Sequence, residues 1–246
     1  GMDFVSGMAI YYVDEVLNGY SKGYLTMLMG VLLVSQLLGM LVFGPIMTKT
    51  SKKATILIGA PIRIVCTLGL LAFSYEGAPI APILALSAGV GIGNAATLTS
   101  IFAILADMAD VDELITSVSR PGIVSGMATF ARKISAGLSA WGIGILISFA
   151  GYDASIAKAG LRQSLHTQNG IAMIFIFLPE ILVTLLLIFG YMFPITKKEF
   201  ELVHKEIARR KGEDDSVATE EEKKILKRVT GIEYDQLWGN KSENLQ

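Results

Sequence analysis

The sequence predicts an all-α integral membrane protein, with six membrane spans followed by a polar helical tail. Three observations lead there. The 246 residues are 52% hydrophobic and only 17% charged, with a mean hydropathy of +0.54. Most of the charge lies after Pro194, so the preceding chain is more apolar than the average suggests. Five apolar runs are each long enough to cross a hydrocarbon core of about 30 Å, which takes about 20 helical residues.

The spans fall near 2–17, 24–47, 54–74, 80–106, 122–150 and 170–193, so that 1–193 forms the membrane unit and 194–246 the tail. The run 2–17 is shorter and begins abruptly; it reads as the end of a helix truncated at its start. A short amphipathic segment lying on the membrane is the alternative. In the tail, Phe200, Val203 and Ile207 form one helical stripe, and Ile225, Val229 and Ile232 form another. The stretch "RKGEDDS" reads as the hinge between them.

Loop charge sets the orientation. "TKTSKK" carries Lys49, Lys52 and Lys53, and the segment after Phe193 is strongly basic. The alternate loops hold only Lys22, Lys158 and Arg162. The positive-inside rule therefore places 48–53, 107–121 and the C-terminus in the cytoplasm of a multi-pass cell-membrane protein. Trp141 and Tyr152 fall near the outer ends of spans, as interfacial anchors do.

The composition also excludes function classes. A formal net charge of -1 argues against binding nucleic acid or another polyanion. Cys66 is the single cysteine and lies in an apolar run, which leaves no internal disulfide and no cysteine metal cluster. The first residues carry no secretory signal pattern. No HExxH, nucleophile elbow or P-loop occurs, so neither an enzyme nor a resident cofactor is expected. "GVGIGN" (89–94) imitates part of a dinucleotide loop, but it lies inside a span with no preceding strand. Close helix packing through small residues is the expected use.

Charges within the spans are more telling, because an ionisable group at the bilayer centre costs about 2.5–3.5 kcal/mol or more. At about 1.5 Å per residue, Arg63 lies about 14 Å into its span, Lys133 about 16 Å and Glu180 about 15 Å from the other side. Arg132 adjoins Lys133, yet adjacent helical residues point about 100° apart. Arg63 and Glu180 are an expected intramembrane ion pair. Three cations against one carboxylate imply acidic partners outside this chain. Thr129, Ala136 and Gly137 share a face with Lys133, which suits a cavity or a close helix neighbour. Tyr11 and Tyr12 are candidates to line a solute path, with core packing as the alternative.

The 80–106 run ends in "ILADMADVDEL". Asp107, Asp110 and Glu113 repeat every third residue and so lie along one helical face; Asp112 stands beside them. Like charges at a helix C-terminus oppose the helix dipole. Their grouping suggests a charge-paired gate on the cytoplasmic side, with Arg120 and Lys52 or Lys53 as basic partners on this chain. A solvated helix end is the alternative.

"ILADMADVDEL", then "SGMATFARKISAGL" with its Thr-x-x-x-Lys, "GY" at the end of that span, "NGIAMIFIFLP" and the basic stretch after "YMFPITKKEFE" together resemble the glycoside–pentoside–hexuronide:cation symporters. This is the melibiose-permease family of the major facilitator superfamily. The resemblance covers nearly the whole chain and matches the second six-helix half plus tail. It implies a fold of twelve helices in two halves and alternating-access transport of a sugar or glycoside with a monovalent cation, Na⁺ or H⁺. It implies too that the first half supplies the cation-site carboxylates and most sugar contacts. On this half, Lys133 takes the position of a lysine near the cation and sugar sites, Thr129 a nearby polar position, and the acidic triplet the cytoplasmic gate. Other expectations on the same fold are a carrier of a lipid or drug, and a non-transporting membrane receptor or scaffold.

Overall fold

The computed structural model of the chain describes residues 2–19, 22–192 and 197–238. Among these, the secondary structure is entirely helical. Helix α1 (Met2–Tyr11) runs into a π-helical turn at Tyr12–Val16. Then come α2 (Tyr24–Lys49), α3 (Lys52–Gly69), extended by a 3₁₀ turn at Leu70–Phe73, α4 (Ile80–Thr116), α5 (Pro121–Phe149), the short α6 (Ala154–Lys158) and α7 (Leu165–Met192). The tail contributes α8 (Lys197–Lys211) and α9 (Glu220–Thr230). The expected change from span to tail at Phe193 and Pro194 lies outside the described residues, as does the tail from 239 onward.

Five helices, α2, α3, α4, α5 and α7, are long and apolar enough to cross a membrane. Helix α1 is ten residues long and its π turn five, short of the length a full span needs. Helix α4 outruns its apolar stretch 80–106: it continues to Thr116 and carries all four carboxylates, on the helix end where their spacing placed them. Its apolar run ends well before its backbone does. Ala, Leu, Met and Glu among 104–114 are good helix formers and sustain it.

The chain divides into two compact units, Gly1–Thr99 with Arg132–Tyr191, and Ser100–Ala131 with Met192–Gln246. This is a division by packing. The boundary at 193/194 concerns membrane against water and is a separate matter.

In the first unit, α1 is a central packing element. Phe4, Met8 and Tyr12 are buried with Leu28 and Leu32 of α2, Ile83 of α4, Ile143 and Ile147 of α5, and Ile171 and Phe175 of α7. The glycines of "GVGIGN" serve two faces of α4. A Cβ on Gly93 would lie 2.6 Å from the Gly59 carbonyl oxygen and 2.7 Å from the Arg63 nitrogen on α3. One on Gly91 would lie 2.6 Å from the Leu32 carbonyl oxygen on α2. Small residues thus let three membrane helices meet backbone to backbone, the packing mode that works where lipid offers no hydrophobic drive. Leu37 and Leu41 on the outer side of α2 are 66% and 74% exposed. Exposed leucines of this kind suit contact with lipid.

In the second unit, Val111 and Leu114 of α4 form a buried cluster with Val203 and Ile207 of α8, Leu226 of α9 and Leu237. Leu226, rather than Ile225, is the buried anchor of α9, and Val229 and Ile232 pack around the cluster. Gly212, at φ 75°, occupies the left-handed conformation just past α8. Thr219 and Glu222 close a reciprocal capping box that starts α9. Beneath them Glu206 is fully buried and pairs with Arg209 at 3.2 Å and Arg210 at 2.9 Å.

Candidate functional site

Arg63 of α3 and Glu180 of α7 are brought together inside the first unit. They are 4% and 5% exposed, and Arg63 Nε donates to Glu180 Oε1 at 3.2 Å. Two residues that sequence reasoning missed extend the pair. Arg63 Nη1 donates to Asn94 Oδ1 at 3.0 Å, and Asn94 Nδ2 donates to Gln36 Oε1 at 3.1 Å. The result is a polar chain across α2, α4, α3 and α7. A guanidinium spends its donors on acceptors fixed in space, so this network holds four helices in register. Its signal in the sequence was present: Gln36 and Asn94 are the long amides within two apolar runs.

Helix α5 is different. Only Ile143 and Ile147 of its residues are buried, and a Cβ on Gly122, Gly126, Gly137, Gly142 or Gly144 would meet nothing within 4 Å. Thr129, Arg132 and Lys133 are all exposed on it. Thr129 Oγ1 donates to the Ser125 carbonyl at 2.8 Å, which fixes its hydroxyl along the helix. Among the described residues, neither Arg132 nor Lys133 forms an ion pair. Two cations therefore stand uncovered on an apolar helix of membrane length, with Phe130 67% and Leu138 61% exposed nearby.

The carboxylates of α4 lie in the second unit, and the tail engages two of them. Lys211 Nζ lies 2.7 Å from Glu113 Oε1, and His204 Nε2 lies 3.5 Å from Asp110 Oδ2, an ion pair when His204 is protonated. Asp107 is half-buried on the same helix. Arg120 departs from expectation: its partner is Asp112, outside the triplet, which it grips at 3.1–3.3 Å through Nε and Nη2. The reason is short range. Asp112 is only eight residues away across the α4–α5 turn, and a bidentate fork fits one carboxylate best. Lys52 and Lys53 stand half-buried at the start of α3, in the first unit.

The hydrogen bond to Glu113, ahead of the charge attraction, raises the Lys211 ammonium above the ordinary lysine range. A raised value means that the contact's contribution is complete below the unfolded lysine value, about 10.4, and is lost as pH climbs through the folded one. It is therefore fully in place at neutral pH. Lys211→Glu should loosen α8 at pH 7, with amide exchange in Lys197–Lys211 faster by up to about five-fold. Exchange measured by mass spectrometry checks this; unchanged protection would mean that the apolar cluster alone holds the tail.

Tyr12 must be reassigned. It has no exposed surface, stacks on Phe175 with centroids 4.4 Å apart, and donates its hydroxyl proton to Ser74 Oγ at 2.8 Å, since Ser74 donates to Leu70. It packs as a core residue, the alternative that the sequence also offered. Burial of a whole aromatic ring outweighs any benefit of exposing its hydroxyl. Tyr11 is half-buried and meets Tyr152 edge-on at 5.4 Å.

Comparison with known proteins gives this geometry a family. The chain is 27% identical over 212 residues to a glucuronide carrier protein homolog of Escherichia coli strain K12, covering 84% of this chain and 44% of that protein. It is 30% identical over 224 residues to a proposed sulfoquinovose importer of the same organism, covering 86% of this chain and 43% of that protein. The chain thus spans less than half the length of these two relatives. Both are named as carriers, and neither as an enzyme. The family model described as MFS/sugar transport protein matches residues 1–197. The membrane-length helices, the charged residues set within them and this match agree: the chain belongs to the MFS/sugar transport protein family.

Proposed function

We propose that the chain is the second six-helix half of a carrier that moves an acidic glycoside together with Na⁺ or H⁺ by alternating access. The observation that carries this reading is the open face of α5, where Arg132 and Lys133 stand exposed on an apolar helix. Lipid is a costly neighbour for two cations at that depth. A solute path and the carboxylates of a first half are neighbours that suit them. The glycines of α5 leave room for close approach by that half. The length of the relatives, more than twice what is matched here, supports a first half of similar size.

The proposed substrate is a sugar bearing an anionic group. A glucuronide carries a carboxylate and sulfoquinovose a sulfonate, and these are the solutes in the relatives' names. Arg132 offers a planar fork suited to either. Lys133, with Thr129 one turn away, is assigned to cation coupling. The α4 triplet is assigned to a gate on the cytoplasmic side, where the tail also lies, by loop charge. Here the tail itself supplies basic partners, Lys211 and His204. A state that closes the gate with residues of the first half must share or displace them.

The test uses the full-length carrier in proteoliposomes. Lys133→Ala should abolish the gradient dependence of uptake while expression holds. Arg132→Gln should keep that dependence but lose at least about ten-fold in preference for a glucuronide over the neutral glucoside, as loss of a charge-assisted contact does. Normal coupling in Lys133→Ala would make the lysine a structural residue.

A further inference from the structure

The carboxylate of Glu180 is only half used. Its Oε1 takes the hydrogen bond from Arg63, while Oε2 is buried with no hydrogen-bond partner. Buried polar atoms are nearly always satisfied, and an orphaned carboxylate oxygen is especially costly. A second orphan lies close in the fold. Thr67 of α3 is 6% exposed, and its Oγ1 also lacks a partner. Helical threonines usually settle their hydroxyl on the carbonyl four residues back. Thr55, Thr129 and Thr184 do so, but Thr67 does not. Thr97 and Thr99 share the lack of a partner, but they lie off the cavity that concerns Thr67.

The residues that carry these two orphans, Thr67 and Glu180, line one cavity. It measures about 20 Å³ and counts Arg63, Thr67, Ser87 and Glu180 among its lining residues, beside apolar ones such as Leu32 and Phe175. That volume holds one water molecule, which needs about 10–15 Å³ and two to four polar partners.

We propose that this cavity is a binding site for a single structural water that bridges Glu180 Oε2 and Thr67 Oγ1. The proton accounting closes. The Thr67 hydroxyl donates to the water, one water O–H donates to Glu180 Oε2, and the second faces Ser87. The polar chain Gln36–Asn94–Arg63–Glu180 then returns to α3, and α7 is tied to α3 twice. A neutral ligand suits the site. Arg63 already balances the charge of Glu180, so a metal cation there would sit as an uncompensated charge beside a guanidinium. The inference concerns the interior of the first unit and does not depend on what the carrier transports.

Two measurements test it on the full-length protein. The first is a structure at a resolution that orders water. One peak within about 2.7–3.2 Å of both oxygens is expected. A dry cavity overturns the proposal, as does a peak at about 2.4 Å that requires sodium. The second is thermal unfolding of Thr67→Val, which keeps the side-chain shape and deletes the hydroxyl. A loss of about 2–4 °C is expected, equal in sodium and choline salts, with Thr67→Ser retaining the wild-type midpoint. A Thr67→Val midpoint at or above wild type indicates a dry cavity and overturns the proposal. A loss confined to sodium salts indicates a cation site and overturns it equally. If Thr67→Val does not fold, the wild-type structure decides.

Discussion

Glu180→Ala is expected to remove about 3–5 kcal/mol of stability from the membrane unit, with a large drop in purified yield and unfolding midpoint. The size follows from what is left behind. Arg63 is 4% exposed, so its guanidinium would remain inside the helices with only the neutral Asn94 as acceptor. Removing one partner of a buried pair strands the other charge. Removing both does not, so Arg63→Met with Glu180→Leu should recover most of the loss. Thermal unfolding of the full-length protein, Arg63→Met, Glu180→Leu and the double variant forms a double-mutant cycle. Additive losses across that cycle would show that the two side chains act separately.

Gly93→Val should cost nearly as much, by a different mechanism. The new Cβ would lie 2.6 Å from the Gly59 carbonyl oxygen and 2.7 Å from both the nitrogen and Cβ of Arg63. Two of those atoms are backbone, so relief requires α3 and α4 to separate. Overpacking of a built core costs about 1–3 kcal/mol, occasionally more, and here separation also pulls on the Arg63–Asn94 hydrogen bond. Gly137→Ala on α5 is the control. Nothing lies within 4 Å of its added Cβ, so the isolated chain should gain slightly from better helix propensity. Comparable destabilisation by both substitutions would show that glycine content rather than helix contact is being measured.

The membrane helices were legible because apolar runs of sufficient length have few alternatives. The Arg63–Glu180 pair was legible because rise per residue turns sequence position into depth, and opposite charges at one depth find each other. The face of a helix was not legible where every face is apolar. Tyr12 illustrates this: its run gives no periodicity from which to choose a side, and its burial is decided by α2, α5 and α7. The end of α4 was legible from the three-residue repeat of Asp107, Asp110 and Glu113, since a fall in hydropathy is not a fall in helix propensity. The tail's engagement of Asp110 and Glu113 was missed for a different reason. It joins residues some hundred positions apart, and the stripe of α8 states only that something covers it. Lys211 and His204 offered the clue, as basic residues near an amphipathic stripe.

The open face of α5 connects these physical observations to transport. A chain that buries Arg63 against Glu180 and Asn94 leaves Arg132 and Lys133 uncovered on another helix of membrane length. The Arg63 side of the first unit is packed, and α5 is open over most of its length. The proposed solute path along α5 accounts for that asymmetry.

The most direct measurement is accumulation of a radiolabelled glucuronide by the full-length carrier in proteoliposomes under an imposed sodium or proton gradient. The expected result is uptake above the external concentration that collapses when the gradient is dissipated and is not matched by the neutral glucoside. Uptake that only equilibrates, indifferent to both gradients, or no uptake of any glycoside by well-folded protein, would contradict the account.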